Sequence, residues 1–147
     1  MGFILSLECV EKVDFEVRES FGDLIEASKA LDLESYFKCF DADRFVGLNA
    51  NGTNWNSIED LKSFICPIFG MIEKVQSLDF TNITVSVIDT NTAILVNEYE
   101  QSVVLKSGDV AKASGGGTQV WSKACGNWKL VSVSASTKPE NPNDLSE

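Results

Sequence analysis

Glu98 and Glu100 stand two residues apart, with Tyr99 between them and Asn97 and Gln101 on either side. Side chains alternate between faces in an extended chain, so the two carboxylates share one face while Asn97, Tyr99 and Gln101 share the other. Carboxylates enclosed together would raise at least one pKa and supply a proton donor or acceptor at neutral pH. On an open or dimer-facing sheet surface they are only solvated acids, and the scarcity of Lys and Arg nearby favours that open face. The opposite face offers different chemistry. Two amides and a phenol need hydrogen-bond partners when buried, which makes water or a ligand their natural complement. Asp41 and Asp43 form a second acidic pair, placed just after a short predicted helix where aspartates satisfy the backbone donors of a turn.

Imidazole chemistry is ruled out, because the 147 residues include no His. The commonest metal ligand and the commonest general base are thereby both missing. Cys9, Cys39, Cys66 and Cys125 form no CxxC pair and read as separate reduced thiols rather than a zinc or disulfide site. Neither a metal nor a cofactor is expected. The run Ser114-Gly-Gly-Gly-Thr118 lacks the Lys and the spacing of a P-loop, so its glycines are expected to relax a strand or form a bulge.

The 12 Lys and Arg against 22 Asp and Glu leave a formal net charge of -10. Such a surface repels phosphate backbones and anionic bilayers, which excludes nucleic acid and membrane as partners. Apolar runs such as Phe3-Ile4-Leu5 are too short to span a bilayer, and no basic residue precedes them as in a secretory leader. A cytoplasmic protein is expected.

The elements that must position these groups follow from periodicity. Val17, Phe21, Leu24, Ile25 and Leu31 recur at helical spacing between Asp14 and Leu31. Asp32 is a cap for a second, short helix through Phe40, with Tyr36, Phe37 and Phe40 facing inward. Arg44 to Asn49 reads as a short strand and Asn51-Gly52 as a turn. Ser57 and Asp60 open a third helix whose stripe is Ile58, Leu61, Ile65, Ile68 and Phe69, with Pro67 near its end. Four strands follow: Thr84 to Ile88, Ala93 to Leu105, Thr118 to Lys123 and Trp128 to Ser136, separated by short turns that make sequential strands neighbours. Residues 1–13 are read as an N-terminal arm, 14–136 as one folded domain and 137–147 as a loose acidic tail.

These segments resemble the nuclear transport factor 2-like superfamily, in its SnoaL-like and association-domain type. The resemblance rests on the helical opening Leu24 to Phe40, Asp43-Arg-Phe-Val leading to Asn51-Gly52, the helix Leu61 to Phe69, and the closing pair Thr118-Gln-Val-Trp121 and Gly126-Asn-Trp-Lys-Leu-Val131. It implies an α+β fold in which a cone-shaped, strongly curved antiparallel sheet wraps around the N-terminal helices. It also points the Tyr99 face into the hollow and implies a homodimer formed through the outer sheet face, where Ile94, Val96 and Val104 lie. If Lys123 pairs with Trp128, Trp121 lies opposite Leu130 and Gln119 opposite Ser132, with Ser134 next on that face. The expected lining is then Tyr36, Phe40, Trp55, Asn97, Tyr99, Gln101, Gln119, Trp121, Ser132 and Ser134. Many relatives carry His at positions matching Ser132 and Ser134, and this chain departs from them there.

Two functions remain open from the sequence. One is a non-catalytic pocket for a small apolar or mixed-polarity ligand, or a dimerisation module. The other is an isomerase, dehydratase or cyclase-like enzyme that works with a carboxylate and Tyr99.

Overall fold

A computed structural model describes residues 5–139 of the chain. Three helices precede or interrupt six strands: α1 (Leu7–Lys29), α2 (Leu33–Lys38), β1 (Val46–Leu48), β2 (Asn54–Trp55), α3 (Ile58–Met71), β3 (Ile72–Asp89), β4 (Thr92–Leu105), β5 (Val110–Ser122) and β6 (Lys129–Thr137). Each helix begins at a side-chain cap. Ser6 accepts from the Cys9 N–H at 3.1 Å, Asp32 from the Ser35 N–H at 3.1 Å and Ser57 from the Asp60 N–H at 3.4 Å. These bonds satisfy donors that a helix start leaves free. Helix α1 therefore starts at Leu7 and not at Asp14, so residues 7–13, expected as part of an N-terminal arm, belong to the helix. Of the acidic tail expected over residues 137–147, Thr137 is the last residue of β6, and residues 140–147 lie outside the described residues.

The strands form one sheet in the order β2-β1-β6-β5-β4-β3. All its pairings are antiparallel except β1 with β6, where Val46, Gly47 and Leu48 run parallel to Ser132, Val133 and Ser134. The long strands β3, β4 and β5 make a meander, as their short connections require. The result is the expected α+β architecture, with helices lying in the hollow of a bent, unclosed sheet.

The bend comes largely from β3. Its inward residues are Ile72, Val75, Leu78, Phe80, Ile83, Val85 and Val87. The spacing is three at the register shifts against β4 between Ile72 and Lys74, Val75 and Ser77, and Phe80 and Asn82, and two elsewhere, with a fourth shift between Val87 and Asp89 at the strand's end. Each shift inserts an extra residue, which sharpens the local twist and folds the strand around the helices.

Val13, Val17, Phe21 and Leu24 of α1 pack with Phe45, Leu95, Trp121 and Leu130 in the main core. The link between α2 and β1 is stitched to β6 by the Asp41 N–H donating to Leu130 O at 2.9 Å and the Leu130 N–H donating to Cys39 O at 2.8 Å. The Asp41 carboxylate closes this corner, accepting from the backbone N–H groups of Asp43 and Arg44 at 3.0 and 3.1 Å and from Arg44 Nη1 at 2.9 Å. Asp41 and Asp43 thus belong to a turn. All four cysteines are free thiols.

Candidate ligand-binding cavity

Between the helices and the inward faces of β3 to β6 lies a cavity of about 410 Å³. Its size suits a small organic molecule. One wall is apolar: Phe21 and Leu24 from α1, Leu61, Ile65 and Phe69 from α3, and Val75, Leu78 and Phe80 from β3 all contribute. Aromatic packing fixes much of it. The Tyr36 ring meets Phe40 and Phe69 at centroid distances of 5.2 Å, Trp55 meets Phe64 at 5.6 Å, and Phe80 sits 6.0 Å from Tyr99. Helix α3 buries fully only Ile58 and Leu61, because Phe64, Ile65, Ile68 and Phe69 look onto the cavity and Met71 is exposed.

The other wall is polar and belongs to β4 and β5. Asn97, Tyr99 and Gln101 project inward from β4, and Gln119 joins them from β5. Their neighbours across the strand pair are small: Asn97 pairs with Gly117, Tyr99 with Gly115 and Gln101 with Ala113. No side chain of β5 covers the amides or the phenol, while on β3 Phe80 stands opposite Tyr99, Ile83 opposite Asn97 and Leu78 opposite Gln101, so the small residues of β5 leave the polar groups open to the cavity on that side. The glycines have a second cause. A Cβ on Gly115 would strike Ser136 O, one on Gly116 would strike Asn97 O, and one on Gly117 would come within 2.6 Å of Ser134 O. Neither a phosphate cradle nor a bulge is built there: the β4–β5 register is continuous through all three.

Tyr36, Phe40, Trp55, Asn97, Tyr99, Gln101 and Gln119 therefore line one space. Trp121, Ser132 and Ser134 do not. Trp121 is fully buried beneath Gln119, with its Nε1 donating to Gln119 Oε1 at 2.9 Å. The serines are displaced by one residue. Trp121 pairs with Leu130 as expected, but Val120 pairs with Ser132, so Val131 is an extra residue in β6. A one-residue shift exchanges the faces of a strand. Val133 and Ala135 consequently face the cavity, opposite Gln119 and Gly117, while Ser132 and Ser134 line a shallow groove beside β1 and β2.

Glu98 and Glu100 point away from the cavity. Glu98 accepts from Asn82 Nδ2 at 3.0 Å and from Lys138 Nζ at 3.0 Å. The Asn82 hydrogen bond and the Lys138 ammonium hold its carboxyl below the ordinary carboxylate range. Burial raises the phenols of both Tyr36 and Tyr99, so they remain neutral hydroxyls at physiological pH. No Asp, Glu, Lys, Arg or Cys is among the described lining residues, and no group of His, Cys, Asp or Glu with metal-site geometry occurs among the described residues. No helix there is long and apolar enough to cross a membrane.

The sequence model of the SnoaL-like domain matches residues 17–139. No curated protein sequence matches the chain. Solved structures share its fold at low identity. A nuclear transport factor 2 (NTF2-like) superfamily protein from Salmonella enterica serovar Typhimurium superposes with a TM-score of 0.78 at 15% identity, covering 93% of this chain and 99% of that one. A provisionally named dehydratase of the NTF2-like family from Streptomyces avermitilis gives 0.75 at 18% identity, over 87% of this chain and 97% of the other. The association domain of C. elegans CaMKII gives 0.70 at 22% identity, over 86% and 97%.

Proposed function

The chain belongs to the SnoaL-like domain family, and from that premise we propose that it binds one small, predominantly apolar molecule in its cavity without transforming it. The composition of the wall carries this proposal. Aromatic and aliphatic side chains enclose most of the space, and the polar side chains that face it are amides and hydroxyls, four of them on β4 and β5 and the others on α1, α2, β6 and the turn after β1. A wall of this kind desolvates an apolar body and orients it through a few polar contacts.

An isomerase, dehydratase or cyclase using Tyr99 would need an acid on the Tyr99 face. Glu98 and Glu100 have the opposite parity, and Glu98 is already engaged by Asn82 and Lys138. The likeness to a provisionally named dehydratase at 18% identity is one of fold. The likeness to an association domain at 22% identity is likewise one of fold, and self-assembly is proposed from the apolar outer strip of β4 and β5, where Val96 and Val110 are exposed. The protein acts as a cytoplasmic homodimer, joined through the outer face of β4 and β5.

A thermal-shift screen of apolar and mixed-polarity compounds tests the cavity, because a ligand that binds only the native state raises the melting temperature. Ile65→Trp fills the space from α3 and is expected to abolish the shift. A hit that protects wild type and variant equally binds elsewhere and counts against the cavity as the site.

A further inference from the structure

Gln119 is held in one orientation. Its Oε1 accepts the buried hydrogen bond from Trp121 Nε1 at 2.9 Å, and an indole N–H can only donate. Reversing the amide would set donor against donor. Nε2 is thereby turned away from Trp121 with both of its protons, and it meets no side-chain acceptor among the described residues. Asn97, one step diagonal across β4 and β5, makes no side-chain hydrogen bond there either. Both residues are only 7% exposed. Yet no completely sealed side-chain nitrogen or oxygen among the described residues lacks a partner, so the free amide atoms keep access to open space. Both residues line the cavity.

Resting on the binding function proposed above, we infer that the ligand is uncharged, largely apolar and bears a carbonyl or ether oxygen that accepts from Gln119 Nε2–H, with Asn97 beside it. Trp121 is the positioning residue that fixes the donor. The charge follows from the wall. An anion entering it would lose its hydration without meeting a cation, and a cation would meet no carboxylate. The formal net charge of -10 opposes an anion further. A hydrocarbon would leave two buried amides unpaired, whereas a ketone pairs one of them at once.

Calorimetric titration of the full chain with methyl naphthyl ketone, its hydrocarbon isostere isopropenylnaphthalene and naphthoate tests this. The ketone is expected to bind at least as tightly as the more hydrophobic isostere, and naphthoate is expected not to bind. In Gln119→Leu the ketone-to-hydrocarbon affinity ratio should fall about tenfold, and because it is a ratio measured on one protein, general loss of fold cancels. Should Gln119→Leu not fold, Gln119→Met, which also lacks the donors, replaces it. A ratio unchanged by either variant, or naphthoate binding more tightly than the ketone, overturns the inference and leaves the cavity standing as a binding site. Failure of all three probes to bind overturns both.

Discussion

Asn97 on β4 stands opposite Ile83 on β3 and opposite Gly117 on β5, so the place where a side chain of β5 would cover the amide is empty. The backbone of β6 explains why it must stay empty, since an added Cβ at Gly117 would lie 2.6 Å from Ser134 O. Gly117→Ala is expected to lower stability by about 1–3 kcal/mol, the usual cost of overpacking. Gly70, inside α3 with nothing near its missing Cβ, is the contrast. Gly70→Ala should stabilise by up to about 1 kcal/mol through helix propensity. Urea denaturation of both variants checks the pair, and a neutral Gly117→Ala would contradict the close approach of β5 and β6.

Tyr99 presents its hydroxyl to the cavity with no side-chain partner among the described residues, so Tyr99→Phe removes little from the fold. Its melting temperature should match wild type, while affinity for a cavity ligand that uses the hydroxyl falls by about 1 kcal/mol. Glu98→Gln, on the outer face, should leave affinity unchanged. Titrating both variants with a screening hit checks this. Unchanged affinity in Tyr99→Phe beside a large loss in Glu98→Gln would restore the carboxylate-enzyme alternative.

The inward face of β4 is legible in the sequence because nothing interrupts its alternation. Ala93, Leu95, Asn97, Tyr99, Gln101 and Val103 keep a strict period of two, and the register with β5 has no shift. The capped starts of α2 and α3 are legible for a similar reason, since Asp32 and Ser57 act within one turn. Two features are hidden by bulges. In β3 the apolar spacing of three at Ile72, Val75 and Leu78 breaks the period of two and is compatible with a helix face, so residues 72–83 do not read as strand. In β6 the extra residue Val131 reverses the phase, exchanging Ser132 and Ser134 for Val133 and Ala135 at the cavity. A bulge is set by curvature imposed from elsewhere in the fold, which composition does not encode. The lining residues Ile65, Ile68 and Phe69 are visible as an apolar stripe, but a stripe over a cavity and a stripe over packed core have the same pattern.

On the outer face, Val96 is 47% exposed and Val110 53% exposed, with Ile94 and Val104 on the same side of β4. An apolar strip left in the open on a sheet is a natural interface. Sedimentation at micromolar concentration should give twice the monomer mass, and Val96→Arg should return the monomer mass with the cavity ligand still bound. A wild-type protein that sediments only as a monomer would remove the homodimer.

Asp41 gives the stability a defined pH dependence. Burial alone would push its carboxyl up, but the hydrogen bonds from the Arg44 guanidinium and from the backbone N–H groups of Asp43 and Arg44 outweigh it, and the carboxyl lies below its ordinary value. A folded-state value below the unfolded one means that the unfolded chain takes up the proton first as pH falls. The stabilisation by Asp41 is thus complete above the ordinary carboxylate pKa of about 4 and is lost as pH drops through the lower folded value. Asp41→Asn should cost about 1–3 kcal/mol near neutrality, the range for unpairing buried hydrogen-bonding groups. The gap between wild type and variant should begin to narrow below about pH 4, where the unfolded wild-type chain starts to take up the proton, and close as pH falls through the lower folded value. Urea denaturation of both proteins across the acid range measures it. A gap that stays constant to the lowest pH at which both fold would mean that the corner between α2 and β1 depends on the shape of the Asp41 side chain and not on its charge.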